Sequence, residues 1–239
     1  MISQAPTVHI CKSCGSSGSG NFCANCGQTF KTKRITLKGL LHDVFHFFTH
    51  LEKGFGYTLK QLTVAPGKMQ REYVEGVRSR YQKPFSMFFI CASVNALVRY
   101  WIFESLFKFY HWGNPVEANF FHQYMVLLYT ILMPVIILVT WIFFFNAKYN
   151  YAETGVLQLY IFSFIFLAVT VIAFTKFIWH DLDTARIELP VILIYCTITC
   201  INFYNKSNKW ITAIKSIALL VVIFYLAQKA EDFWIETFK

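Results

Sequence analysis

Long apolar blocks fill the last two-thirds of the chain. Five of them, at residues 85–103, 121–145, 154–178, 187–204 and 210–227, alternate with short polar loops. Each block has about the 17 to 25 residues that a helix needs to cross the hydrocarbon core of a bilayer. The pattern therefore predicts about five transmembrane helices. The fourth block is the least apolar at its start, and if it does not cross, the protein has four spans.

The N-terminal third has a different periodicity. Between residues 36 and 51, apolar side chains recur at steps of three and four, which predicts an amphipathic helix. A short helical stretch at 57–62 follows, and Pro66 suits the first turn of another helix that carries Met69, Tyr73 and Val77 on one face. Five basic residues accompany this helix: Lys68, Arg71, Arg78, Arg80 and Lys83.

These patterns predict an all-α multi-spanning membrane protein with amphipathic interfacial helices and an N-terminal zinc ribbon. Three domains are expected: the zinc ribbon at 1–30, a basic amphipathic helical platform on the cytoplasmic membrane surface at 31–83, and the transmembrane helical domain at 84–239. Only 15% of the residues are charged, against about 25% in soluble domains. This composition excludes an ordinary soluble enzyme.

Positive charge is concentrated before the first predicted span. Residues 1–83 contain 12 Lys and Arg but four acidic residues, whereas residues 84–239 contain ten and nine. Basic residues that flank a span stay on the cytoplasmic side, so the N-terminus is expected in the cytoplasm and, after five spans, the C-terminus outside. The chain start lacks a secretory signal, which agrees with this orientation. Attraction to anionic lipid and nucleic acid is the alternative interpretation of the charge.

The strongest motif consists of two Cys-x-x-Cys-Gly knuckles. Cys11 and Cys14 form the first and Cys23 and Cys26 the second, each followed by a glycine. Four thiolates on two such turns can surround one Zn²⁺ tetrahedrally, which defines a structural site with no open position for catalysis. The alternatives are a redox dithiol pair or unrelated cysteines.

Other polar residues are candidates for weaker sites. His42, His46 and His50 lie one turn apart on the polar face of the predicted amphipathic helix, where they either hold a metal or face solvent. Asn95, Arg99, Lys176 and Lys215 fall inside predicted spans, where ionisable groups either serve function or extend to the headgroups. The remaining candidates are Cys196 with Cys200, and the loop 179–183 with its His180, Asp181 and Asp183.

The stretch from 11 to 90 resembles a bacterial family of membrane proteins of unknown function. The resemblance rests on the Cys-Gly-Gln that ends the ribbon, the amphipathic segment, the Pro-Gly turn, and a Gly-x-Arg-x-Arg-Tyr-x-x-Pro entry to the first span, formed here by Gly76, Arg78, Arg80, Tyr81 and Pro84. It implies zinc ligation and the bacterial inner membrane, but no activity. A looser likeness, in size and layout alone, is to membrane accessory proteins of Cas13b-type CRISPR systems.

Three classes of function are compatible with these patterns. The leading hypothesis is a non-enzymatic membrane scaffold or regulator that recruits a cytoplasmic protein partner through the ribbon and basic platform. The second is a pore-forming or accessory protein of an antiviral defence system. The third is a membrane enzyme that uses the His42, His46 and His50 face. Expected partners are membrane lipid and a cytoplasmic protein, with nucleic acid and self-association as alternatives.

Overall fold

The computed structural model describes residues 8–40, 54–110, 115–179 and 182–238. Two short strands, β1 (His9–Ile10) and β2 (Ser17–Gly18), precede a series of helices. The helices are α1 (Phe55–Val64), α2 (Lys68–Val74), α3 (Pro84–Tyr110), α4 (Pro115–Phe143), α5 (Tyr151–Ala173), α6 (Ala185–Phe203) and α7 (Lys209–Phe238). Short 3₁₀ turns follow α4 at Phe145–Ala147 and α5 at Phe174–Phe177. The chain is therefore mainly helical, as its sequence predicts.

Four helices of the described ranges are long and apolar enough to cross a membrane. These candidate spans are Pro84–Phe109, Tyr151–Phe177, Ala185–Phe203 and Lys209–Ala230. They coincide with the first, third, fourth and fifth predicted blocks, which indicates a multi-pass membrane protein. The second predicted block, 121–145, overlaps α4, which ends at Phe143, and the described apolar part of this helix, Leu127–Phe143, is shorter than a span. A fifth span therefore remains a prediction.

Helix α5 is the central element of the bundle. Two-thirds of its most apolar stretch, 67%, is buried, against 22% for α7. It packs against α3, α4 and α6 along its length and against α1 and α2 near its start. Helices α6 and α7 expose large apolar side chains such as Ile194, Ile214 and Val221. In a membrane protein such side chains face lipid, so α5 supplies the core and α6 and α7 the outer surface.

The short helices α1 and α2 close one end of the bundle. Leu62, Met69 and Tyr73 are buried in the same hydrophobic core as the spanning helices. Gly67 has φ of +80°, and a Cβ atom there would lie 2.2 Å from the backbone oxygen of Thr199 in α6. Only glycine fits such a close approach of two backbones. The predicted Pro-Gly turn is therefore the place where the start of α2 packs closely against α6.

Two local predictions need adjustment. The helix expected from Pro66 begins at Lys68, after Gly67, and ends at Val74 before the predicted Val77. It ends there because Gly76 turns the chain with φ of +113° and packs against Thr32. Of the amphipathic helix predicted at 36–51, residues 37–40 are helical. Its remainder, with His42, His46 and His50, lies outside the described residues.

Candidate metal centre and its attachment to the bundle

The four cysteines of the two knuckles converge at the N-terminus. Their Sγ atoms all lie within 4.8 Å of one another, an arrangement that can hold a metal ion. The Cys11 and Cys26 sulfurs are 3.5 Å apart, and those of Cys14 and Cys23 are 3.4 Å apart. A tetrahedral ion with metal–sulfur bonds of about 2.3 Å separates its ligands by roughly 3.8 Å, so the four thiols need only a small expansion.

The two knuckles have the same backbone geometry. Gly15 and Gly27 both adopt positive φ, +76° and +71°, and their amides donate to the carbonyls of Cys11 and Cys23. Amide hydrogen bonds favour the thiolate, and the amide of Cys14 is the main cause of a lowered pKa at Cys11. The pKa of Cys14 falls to about 6, first through its side-chain hydrogen bond with Ser16 and then through the Ser16 amide. At Cys23 the amides of Cys26 and Asn25 also lower the pKa, but burial and the neighbouring Cys14 and Cys26 thiols outweigh them and raise it to about 11. The first knuckle therefore loses its protons more readily than Cys23 does.

The ribbon, residues 8–30, is attached to the turn between α2 and α3, residues 75–80, which we call the docking turn. Gln28 is 5% exposed, and its Oε1 accepts hydrogen bonds from the amides of Arg78 at 3.1 Å and Ser79 at 2.8 Å. From the first knuckle, Ser13 meets the Ser79 hydroxyl at 2.8 Å and its carbonyl accepts from the Arg80 guanidinium at 2.5 Å. Both knuckles therefore contact the docking turn.

The segment after the ribbon, residues 32–35, is attached to the start of α5. The Arg34 guanidinium forms two hydrogen bonds with the Glu153 carboxylate, at 2.7 and 2.8 Å, which raises the pKa of Arg34. Glu153 also accepts from the Asn150 amide, while Asn150 accepts from the Glu153 amide, so the pair forms a capping box on α5. The Asn150 side chain donates to the carbonyl of Ile35 at 3.0 Å.

The polar residues predicted inside the spans have separate partners. Asn95 is buried and donates to the Phe166 carbonyl and the Thr170 hydroxyl of α5. Arg99 pairs with Glu188 at 3.8 Å. Lys215 donates to the carbonyl of Phe143 at 3.0 Å, where α4 ends and its last carbonyls lack helical partners. Lys176 is half-buried near Arg99 and Glu188.

Among the described residues, the remaining candidates do not join the metal cluster. All seven cysteines lie in the described ranges and are free thiols, and Cys91, Cys196 and Cys200 are buried in the bundle. In the loop 179–183, Asp183 pairs with Arg186 at 3.7 Å, whereas His180 and Asp181 lie outside the described residues.

A family model described as "Protein of unknown function (DUF3667)" matches residues 52–95. The matched stretch includes α1, α2, the docking turn and the first part of α3, so the chain is similar to this family where the ribbon is attached. This supports the predicted resemblance to a family of unknown function over that stretch. No curated protein and no solved structure matches the chain.

Two contacts were not predicted from the sequence, although Gln28 and Gly76 each belong to a resembling motif. Gln28 follows the second Cys-x-x-Cys-Gly, and its side-chain amide is buried against the docking turn. Gly76 begins the Gly-x-Arg-x-Arg-Tyr entry and contacts Thr32. Gln28 and Gly76 were recognisable as motif residues, but nothing in the sequence identified the partner of either one.

Proposed function

We propose that the protein is a non-enzymatic scaffold of the bacterial inner membrane whose zinc-bound ribbon recruits a cytoplasmic protein. The observation that carries this proposal is the attachment of the ribbon. Its knuckles are hydrogen-bonded to the docking turn, and the turn leads directly into α3. A ribbon held in this way presents its remaining surface in a fixed position relative to the membrane.

The ribbon surface away from these contacts is partly apolar. Val8, Ile10 and Phe22 are 68%, 74% and 64% exposed. Val8 and Ile10 flank His9, so they lie on the same side of the extended chain. Exposed apolar side chains on a small, well-defined domain suit a protein partner better than nucleic acid, which is bound mainly through basic groups.

Zn²⁺ is the metal that suits four thiolates best. Soft sulfur ligands in tetrahedral geometry select zinc or iron, and two Cys-x-x-Cys-Gly knuckles with all four positions filled are typical of structural zinc. The proposed ligands are Cys11, Cys14, Cys23 and Cys26. The ion would cross-link the two knuckles, which have little hydrophobic core of their own.

The proposed topology has five spans, with the ribbon in the cytoplasm. The basic excess before residue 84 supports this orientation, and α4, with 29 residues, has the length of a span. A reporter fused after residue 239 should then report the outside, and one fused within 206–209 the cytoplasm. A cytoplasmic signal from the first fusion would require a four-span topology.

Recruitment is tested by photo-crosslinking from the ribbon in intact cells. A photoreactive amino acid at position 10 should give a discrete protein adduct that Phe22→Asp abolishes while zinc content and membrane insertion persist. Asn21→Asp is the matched control, since it adds the same charge to an exposed neighbouring position without removing apolar surface. An adduct that persists in Phe22→Asp and in a Cys23→Ser, Cys26→Ser variant would contradict the proposal.

A further inference from the structure

A cleft of about 750 Å³ lies among α5, α6 and α7, with contributions from α3 and α4. Most of its lining is apolar, and the side chains include Phe162, Ile165, Phe166, Leu193, Leu220 and Phe224. Leu193 is 40% and Phe224 50% exposed, so the cleft opens at the lateral surface of α6 and α7. In a membrane protein this surface is the lipid-facing one, which gives acyl chains direct access.

The cleft is elongated parallel to the helices. Along α5 its lining extends from Gln158 to Val169, and along α6 from Glu188 to Cys200. At 1.5 Å per residue these stretches are about 17 and 18 Å long. The hydrocarbon core is about 30 Å thick, so the cleft spans roughly one leaflet. This is the depth that one acyl chain of a membrane lipid occupies.

One end of the cleft is charged. Arg99 Nη1 and Glu188 Oε1 are 3.8 Å apart, longer than the 2.7–2.9 Å typical of a charge-assisted hydrogen bond. Glu188 Oε1 is buried, and no described residue donates a hydrogen bond to it. The guanidinium therefore retains hydrogen-bonding capacity for a further anionic group beside the carboxylate.

The charged end lies where lipid headgroups are found. Glu188 is in the first turn of α6, and Lys176 lies in the 3₁₀ turn that follows α5. Lys176 interacts electrostatically with both Arg99 and Glu188. Nearby Asp183 and Arg186 pair with each other. Arg99, Lys176 and Glu188 together carry one net positive charge, which is complementary to a singly charged anion.

We propose that this cleft binds an acidic phospholipid, with one acyl chain between α5, α6 and α7 and its phosphate at Arg99. Arginine presents a planar set of donors that matches the oxygens of a phosphate. A zwitterionic phospholipid carries an ammonium group beside its phosphate, and Lys176 repels this group. A fatty acid has the chain and the charge, but its planar carboxylate lacks the additional phosphate oxygens that could accept from Arg99.

The test is native mass spectrometry of the full chain released from vesicles of equal parts phosphatidylglycerol and phosphatidylcholine. One phosphatidylglycerol per protein should be retained, and Arg99→Gln should lower that retention about tenfold or more, because hydrogen bonds to charged groups contribute at least that factor. Arg186→Gln removes the same charge at an exposed position of the same end and should retain the lipid. The same measurement with vesicles of phosphatidylcholine and oleate tests whether the cleft binds a zwitterionic phospholipid or a fatty acid instead.

A second pair of variants addresses the acyl chain without touching the charged end. Leu193→Trp fills the cleft and should reduce lipid retention, whereas Ile194→Trp, on the outer side of the same helix, should not. Unchanged zinc content and a single elution peak establish that both variants fold. Equal retention of phosphatidylcholine, retention of oleate in place of phospholipid, or unchanged binding in both Arg99→Gln and Leu193→Trp would overturn the proposal.

Discussion

The two ends of the helical bundle are built in different ways. At the ribbon end, Gln28, Arg34 and Asn150 form hydrogen bonds between segments that lie far apart in sequence. At the opposite end, a loose ion pair between Arg99 and Glu188 borders a cleft. The ribbon end thus depends on directional contacts that fix one geometry, whereas the far end depends on apolar packing and retains space. Variants at the ribbon end should therefore be the more disruptive.

The largest expected effect comes from removing one sulfur ligand. In Cys14→Ser the proposed zinc site is incomplete, and since structural zinc contributes about 10 kcal/mol or more of apparent binding free energy, the ribbon should unfold. Elemental analysis should find less than half an equivalent of zinc, and proteolysis should cleave within residues 8–30 while the spans stay inserted. Cys91→Ser, at a buried cysteine outside the cluster, should keep its zinc. Full zinc content in Cys14→Ser would exclude the four-cysteine site.

Gly67→Ala should be the most damaging substitution within the bundle. Its Cβ would collide with the Thr199 carbonyl at a φ of +80°, so we expect a loss of about 3 kcal/mol or more in the free energy of unfolding. Gly56→Ala is the matched control, because a Cβ there meets nothing within 4 Å and alanine favours helix α1 by up to about 1 kcal/mol. Denaturation in mixed micelles measures the free energy of unfolding of both variants. Equal stabilities would contradict the close contact between α2 and α6.

Glu153→Ala should have an intermediate effect. The Glu153 side chain is 4% exposed, and its removal eliminates the carboxylate's half of the capping box and the contacts with Arg34. Because Arg34 is 60% exposed, water compensates part of the loss, and we expect about 2 kcal/mol. Glu75→Ala, which breaks a more exposed pair with Arg71 at 3.9 Å, should cost less than about 1 kcal/mol. Hydrogen exchange of the Asn150 amide, which donates to the Glu153 carboxylate, should increase in the first variant alone.

The smallest expected effect is that of Asn95→Ala, nearer the cleft. Asn95 connects α3 to α5 through two hydrogen bonds, but such contacts between membrane helices contribute only about 0.6 kcal/mol on average. Unfolding in mixed micelles should show a loss below about 1.5 kcal/mol, with Val94→Ala as an exposed neighbouring control. A loss above that of Gly67→Ala would reverse the comparison between the two ends.

Much of the secondary structure follows from the sequence because each element depends on local patterns. Runs of apolar residues predicted the helices that contain four candidate spans, and the glycines after Cys14 and Cys26 predicted turns with positive φ. The contact of Gln28 with the docking turn could not be predicted, because its two partners are backbone amides 50 and 51 residues away. Backbone groups have no sequence identity, so no residue pattern reveals such a pair.

The cleft was equally inaccessible to sequence reasoning. Arg99 and Glu188 are recognisable as charges inside or near predicted spans, but their approach depends on how α3 and α6 pack around α5. Their sequence separation carries no periodic signal. For Lys215 the sequence left open a functional role or extension toward the headgroups; in the structure its ammonium group donates to the carbonyl of Phe143 at the end of α4.

The hydrogen bonds between Arg34 and Glu153 can form only after a long stretch of the chain has been synthesised. Arg34 leaves the ribosome 119 residues before its partner, a delay of roughly 6 to 24 s at 5 to 20 residues per second. During that interval the ribbon can fold around its proposed metal ion, but the bundle to which it attaches is not yet complete. Attachment of the N-terminus is therefore a late event in biogenesis. A chain whose ribbon is attached to the bundle has already inserted its central helix, α5.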